Sequence, residues 1–149
     1  MAEVRDPALD SLPAAEEDAV SLLRDLIRID TTNAGERPGT VGELAAAEYA
    51  EAALREVGFD PEPFHTTSAS RAGVVLRIPG TEPDAAQRAL LLHGHLDVVA
   101  ADARDWTHPP FAAEVAVDPA SGLDMVWGRG AVDMKDMVAM ILAVARHWG

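Results

Sequence analysis

The sequence predicts an α/β fold in which a mixed sheet is flanked by helices. Apolar residues recur with the helical period near both ends of the chain, and short apolar runs separated by turn-forming residues fill the middle. The chain has 149 residues, of which 48% are hydrophobic and 25% are charged. This balance is typical of a globular protein, and the length corresponds to one domain at most.

The first helix is predicted from about Ala14 to Ile29, because four apolar residues follow one another at the spacing i, i+3, i+4 and i+7. These residues are Ala19, Leu22, Leu23 and Leu26. Before it, residues 1–13 hold two prolines and scattered charges, which predicts a flexible N-terminal arm. After it, residues 30–39 (DTTNAGERPG) are rich in turn formers and predict a loop.

A second helix is predicted after this loop. Thr40 and Glu43 have the spacing of a capping box, in which each side chain satisfies a free backbone N–H group of the other residue. Glu51 and Arg55 form an i,i+4 pair along the helix. Gly58 stands where a left-handed residue typically ends a helix.

Five strands are predicted between the second helix and the last one. Prolines in the first predict an edge strand, the third is apolar enough to be buried on both faces, and the last two flank a turn. The strands are Phe59–His65, Gly73–Ile78, Ala89–His95, Phe111–Val117 and Met125–Trp127.

A final helix is predicted because apolar residues recur at helical spacing from Val138 to Trp148. A helix in an α/β domain usually leads into another strand. We therefore expect the sheet to be incomplete within these 149 residues.

Charge and composition exclude several classes of protein. Twelve basic against 25 acidic residues give a net charge of −13, which opposes binding to nucleic acid or to an anionic membrane. The chain has no cysteine, which excludes disulfides and thiolate metal sites. The first residues have no apolar leader, and no apolar run approaches the roughly 18 residues of a membrane span. These features predict a cytoplasmic protein.

The first candidate site segment is Leu92–Val99 (LHGHLDVV), at the end of the most apolar predicted strand. The strand period of two places His93, His95 and Asp97 on one face. A histidine can bind a metal while a neighbouring aspartate fixes its tautomer. The pattern is equally that of a structural His–Asp pair.

The second segment is Trp127–Asp136 (WGRGAVDMKD), where a strand, a glycine-rich turn and a helix start follow one another. The pattern does not fit a dinucleotide site, since Asp133 would direct an anion toward the pyrophosphate. A carboxylate here is also compatible with simple N-capping of the helix.

Taken together, the two segments resemble a known family. The order LLLHGHLDVV, then Trp106 with Pro110-Phe111, then WGRGAVDMK, together with the Asp30–Asn33 loop, is similar to the family of aminoacylase, carboxypeptidase G, acetylornithine deacetylase and succinyl-diaminopimelate desuccinylase. These are co-catalytic zinc metallopeptidases and N-acyl-amino-acid amidohydrolases. The resemblance implies that residues 14–149 are the N-terminal part of a zinc-exopeptidase-like catalytic domain.

The resemblance also implies roles for three residues. His95 resembles the family's ligand to one metal, and Asp133 resembles the carboxylate that bridges two metals. Asp97 resembles the acid that orients the histidine, and it is the residue predicted to take part in catalysis. The bond Asp133–Met134 is often cis in the family. His93 falls at a variable position and is not counted as a ligand.

The implied reaction is metal-assisted hydrolysis of an amide bond in N-acyl amino acids or dipeptides. Two Zn²⁺ ions (Co²⁺ or Mn²⁺ are alternatives) about 4 Å apart would activate a shared water and polarise the carbonyl. The family's Glu–Glu pair, its remaining ligands and its dimerisation domain fall after Gly149 in the family's order, and no glutamate follows Glu114. We therefore expect this chain alone to be inactive, and a homodimer to form only through the absent domain. The alternative is a non-catalytic binding or assembly module of the same fold.

Overall fold

The computed structural model describes residues 12–35, 38–66 and 68–148. Within these ranges the fold combines helices with short strands, so the mixed α/β class is confirmed. The elements are α1 (Leu12–Arg28), α2 (Leu44–Glu56), β1 (Glu62–His65), β2 (Ala72–Val75), β3 (Glu114–Val117), β4 (Asp124–Trp127) and α3 (Lys135–Arg146). The predicted N-terminal arm lies outside the described residues, except for its last two positions, which begin α1.

The core is built where the apolar faces of the three helices meet. Helices α1 and α3 share the most extensive contact between elements, and the alanine-rich face of α2 packs against both. Small side chains on α2 and α3 allow close approach of the helices, while leucines fill the space between them. The buried core residues are Leu22, Leu26, Ala46, Ala50, Ala53, Leu54, Ala139, Leu142 and Ala143.

The two ends of α2 differ in how well the sequence predicts them. Gly58 has a φ of 90° after the last turn, as predicted. The capping box is wrong: among the described residues, Glu43 makes no side-chain hydrogen bond to the start of the helix. Its carboxylate instead lies 3.2 Å from Arg71, and the carbonyl oxygen of Ser70 accepts the N–H of Leu44. A neighbouring loop thus satisfies the helix start.

The described strands form two separate antiparallel hairpins, β1–β2 and β3–β4. Glu62 pairs with Val75 in the first hairpin, and Glu114 pairs with Trp127 in the second. The first hairpin packs against α2. Parallel pairing is found at one bridge, between Thr32 and Val98. This bridge joins the loop after α1 to the first candidate site segment.

The predicted strand Ala89–His95 does not form within the described part of the chain. Residues 89–95 pair with no described strand, and Leu90 and Leu91 are 82% and 85% exposed. The expectation that this run is buried on both faces is therefore wrong for this chain. A strand needs backbone partners at its edges, and none of the described segments pairs with this one through backbone hydrogen bonds.

Charged residues join the far ends of the helices. The guanidinium of Arg146, at the end of α3, donates to Asp18 on α1 at 2.8 Å and to Glu56 on α2 at 3.0 Å. It also donates to the carbonyl oxygen of Ala53. Among the described residues, no helix is long and apolar enough to cross a membrane.

The core predicts how two substitutions on α1 will differ. Leu26 is fully buried, so Leu26→Ala should lower the free energy of unfolding by about 2–5 kcal/mol through lost contacts and a cavity. Val20 is half exposed on the same helix, and Val20→Ala should change the free energy of unfolding by less than about 0.5 kcal/mol. Urea denaturation monitored by circular dichroism measures both, and equal losses would contradict this position of the core.

Candidate functional site

The site begins with a short parallel ladder between the loop after α1 and residues 96–98. The N–H of Asn33 donates to the carbonyl oxygen of Val98 at 2.8 Å, and the N–H of Val98 donates to the carbonyl oxygen of Thr31 at 3.2 Å. The buried hydroxyl of Thr31 donates to the carbonyl oxygen of Leu96 at 2.7 Å. These bonds fix the backbone that carries His95 and Asp97.

His95 and Asp97 lie together, as the two-residue spacing predicts. Nδ1 of His95 is 3.1 Å from the backbone carbonyl oxygen of Asp97 and 3.3 Å from Oδ1 of the Asp97 carboxylate. The other carboxylate oxygen of Asp97 accepts the side-chain amide of Asn33 at 3.1 Å. Asn33 therefore holds Asp97, and Asp97 faces one nitrogen of the imidazole. His93 is exposed and does not line the site.

Asp133 meets the opposite nitrogen of His95. Its Oδ1 lies 3.1 Å from Nε2, across 38 residues of sequence. The bond Asp133–Met134 is cis, as the family resemblance implies. Helix α3 begins at Lys135, its N-cap is Met134, and the cap residue makes no side-chain cap hydrogen bond among the described residues. The N-capping interpretation of Asp133 is therefore wrong.

An open cleft of about 260 Å³ lies over this contact. It is lined by His95, Asp97, residues 98–99 and the whole turn 128–133. The two segments that the sequence singles out thus form the walls of one cavity.

The glycine at the centre of the turn allows the two walls to approach each other. Gly130 has a φ of 82°, in the left-handed region. A Cβ atom on Gly130 would lie 2.8 Å from Cγ1 of Val98 and 3.2 Å from Cδ of Lys135. A larger residue would therefore separate the turn from the segment that carries His95.

Lys135 follows the turn and reaches back to the end of α1. Its ammonium group donates to the carbonyl oxygens of Leu26 and Ile29, both at 2.8 Å, and the residue is fully buried. Burial lowers the pKa of the Lys135 side chain to about 8, and the negative charge of Asp30 acts in the opposite direction. The carbonyl groups at the end of α1 also favour a cation at this position.

The donor atoms of the site are suited to a cation. The oxygens of Asp97 beside Nδ1 accept hydrogen bonds, which favours a proton on that nitrogen. Nε2 then presents a lone pair to the Asp133 carboxylate, and two electron-pair donors 3.1 Å apart repel unless a proton or a metal ion lies between them. Imidazole and carboxylate are both ligands of zinc. Over the described residues, no group of three or more potential ligands is clustered.

A purely structural His–Asp pair would be expected to stabilise the fold. The side chains here are 43% exposed for His95, 35% for Asp97 and 90% for Asp133. Ion pairs at such exposure contribute about 0–1 kcal/mol to stability. Stability therefore does not account for this arrangement, in which backbone contacts hold three polar side chains around a cleft.

An imidazole and a carboxylate from separate segments thus converge in an open cleft of a mixed α/β chain. Residues 91–149 match the family model for Peptidase family M20/M25/M40. The resemblance seen in the sequence is thereby confirmed: this part of the chain is similar to that peptidase family.

Two bacterial relatives extend the similarity toward the N-terminus. The chain is 33% identical over 132 residues to a probable succinyl-diaminopimelate desuccinylase of Staphylococcus epidermidis, a match that covers 87% of this chain and 28% of that protein. It is 35% identical over 129 residues to a succinyl-diaminopimelate desuccinylase of Cereibacter sphaeroides, covering 86% and 29%. The chain thus spans less than a third of the length of these relatives.

Sequence reasoning missed the roles of Asn33 and Lys135. In the sequence, Asn33 is part of a predicted loop and Lys135 is part of the second motif. Their partners lie 64 residues away at Asp97 and 106 residues away at Ile29. A lysine at the start of an apolar helix is a local signal, and it does not identify the partner.

The packing of Gly130 predicts a measurable difference from another glycine. Gly122 also has a positive φ, of 74°, but a Cβ atom there would meet nothing within 4 Å. Gly122→Ala should therefore cost only the left-handed strain of about 1–2 kcal/mol. Gly130→Ala should cost about 1–3 kcal/mol more, because the methyl group also collides with Val98. Chemical denaturation of the two variants checks this, and equal costs would contradict the close packing.

Proposed function

We propose that this chain is part of a metal-dependent hydrolase that cleaves the amide bond of N-acyl amino acids or small peptides. The contact between His95 and Asp133 carries the proposal, because it brings two metal-binding side chains from separate motifs to 3.1 Å in a cleft. The match to a peptidase family supports the same reaction class.

In this proposal, His95 and Asp133 are the metal ligands. Nε2 of His95 would bind one metal ion, and the carboxylate of Asp133 would bind that ion and bridge to a second. A metal bound there would lower the pKa of a bound water and polarise the substrate carbonyl. Zn²⁺ is the ion we propose, since nitrogen and carboxylate ligands suit it.

Asp97 and Asn33 would act behind the metal ligand. The backbone carbonyl oxygen of Asp97 lies 3.1 Å from Nδ1 of His95 and the Oδ1 of Asp97 lies 3.3 Å from it, so both would favour a proton on Nδ1 and leave Nε2 directed at the cleft to bind a metal. The amide of Asn33 donates to the far oxygen of Asp97 and prevents the carboxylate from rotating away. Asp97 is thus a positioning residue in this proposal, rather than a group that touches the substrate.

The chemistry needs groups beyond those in the cleft. A catalytic zinc takes about three protein ligands and a water, whereas His95 and Asp133 supply two for one ion and one for the other. We propose that the general base and the other ligands belong to the portion of the relatives that this chain does not span. The names of the two relatives support N-succinyl amino acids as members of the substrate class.

Asp97→Asn tests the positioning role. The amide keeps the size of the side chain but no longer carries the charge that favours a proton on Nδ1, so metal affinity should fall about 10–100-fold while the fold is retained. Asp102→Asn is the matched control, because Asp102 is an exposed aspartate that binds Arg104 away from the cleft. Competition with a chelating dye measures affinity, and an unchanged value for Asp97→Asn would refute the assigned role.

The incomplete ligand set predicts the behaviour of the 149-residue chain on its own. It should bind one zinc ion weakly and should not hydrolyse N-acetyl or N-succinyl amino acids or dipeptides. Loss of a general base alone typically lowers rates about 10²–10⁴-fold. Metal analysis and an amine-release assay test this against a version extended to the length of the relatives, and turnover by the short chain with two bound zinc ions would contradict it.

A non-catalytic binding module is the second candidate. The observation that favours it is that the described residues bring together two ligands rather than three or more. The extended protein distinguishes the two candidates, because a module would remain without turnover when two metal ions are supplied.

A further inference from the structure

The two walls of the cleft come from parts of the chain that are far apart in sequence. One wall, with His95 and Asp97, is attached to the loop that leaves α1. The other wall, with Asp133, is the turn that leads into α3. Whatever connects the end of α1 to the start of α3 therefore sets the distance between the metal-binding side chains.

Lys135 makes that connection. Its Nζ donates to Leu26 and Ile29 at the end of α1, and its own N–H donates to the carbonyl oxygen of Gly130 in the turn, at 2.9 Å. Its aliphatic stem lies against Gly130. One residue thus contacts the end of α1, the turn and the start of α3, and it is two positions from Asp133.

We infer that Lys135 is a positioning residue that holds Asp133 against His95. The effect of this role on metal binding rests on the proposed function. A role in stability alone would not require this position, because Arg146 already joins α3 to α1 and α2 at the opposite end of the helix. Lys135 joins the same two helices at the end that carries the cleft.

The ammonium group is the essential part of the side chain. Two carbonyl oxygens at the end of α1 accept from it at 2.8 Å. Charge-assisted hydrogen bonds are shorter and about twice as strong as neutral ones, whereas apolar packing has no preferred direction. A side chain of equal length that ends in a methyl group would fill the same space without fixing α1 to the turn.

The chain has no cysteine, so a matched pair of side chains can be made at this one position. Lys135→Cys, unfolded and alkylated with 2-bromoethylamine, regains an ammonium group at nearly the native length. Alkylation with 1-bromopropane gives the same shape ending in a methyl group. Both products are refolded and compared with the unsubstituted 149-residue chain and with Arg146→Met.

Two measurements are made on each product. The first is the nuclear Overhauser effect between the Gly94 α-protons and the Met134 methyl group, because a Cβ atom on Gly94 would lie 3.5 Å from Cε of Met134. It reports the approach of the two walls without any metal. The second is affinity for Zn²⁺ and the visible spectrum of bound Co²⁺.

The aminoethyl product should retain the Overhauser effect and the metal affinity of the unsubstituted chain. The propyl product should lose the effect and bind Zn²⁺ at least about 10-fold more weakly, with an altered Co²⁺ spectrum. Arg146→Met should unfold at a lower temperature but keep both signals while folded.

Three results would overturn the inference. These are a folded propyl product with native signals, a propyl product that does not refold although the aminoethyl one does, and equal losses for the propyl product and Arg146→Met. If the unsubstituted chain binds no metal, the proposed function fails, and the Overhauser effect still decides the role of Lys135.

Discussion

The ammonium group of Lys135 lies where water cannot reach it, between the end of α1 and the start of α3. Removing an ammonium from water costs several kcal/mol, and hydrogen bonds to a charged group return about 1.5–3 kcal/mol each. The cost is offset only while both carbonyl oxygens stay in reach. This condition restricts how α1, the turn and α3 can move relative to one another. It therefore also limits the motion of the cleft wall that the turn forms.

Local patterns in the sequence predict the elements well because they depend on neighbours. The three helices, the four strands of the hairpins and the left-handed Gly58 follow approximately from periodicity and from backbone preference. The failures involve distant partners. Glu43 turns to Arg71 instead of capping its helix, and the apolar run 89–95 has no strand beside it among the described segments. The spacing of residues along the sequence predicts neither the contact of Glu43 nor the absence of a described strand paired with residues 89–95.

The candidate site divides in the same way. His95, Asp97 and Asp133 can be identified from motif and resemblance. His95 and Asp97 lie together as their two-residue spacing predicts, although residues 89–95 form no strand among the described residues. The resemblance implies that His95 and Asp133 converge, but periodicity and spacing do not predict their contact, because the two residues are 38 positions apart and lie in separate segments. A sequence motif identifies residues that bind a ligand directly more readily than residues that only hold another side chain in place.

The distance in sequence between Lys135 and its acceptors has a consequence during synthesis. Ile29 precedes Lys135 by 106 residues. At a rate of about 5–20 residues per second, roughly 5–20 s pass between the two on the ribosome. Throughout that interval the end of α1 can hydrogen-bond only to water or to other partners. The cleft can therefore take its final form only after Lys135 has been synthesised, and a pause in this interval would prolong the time during which the carbonyl oxygens of Leu26 and Ile29 lack the ammonium group.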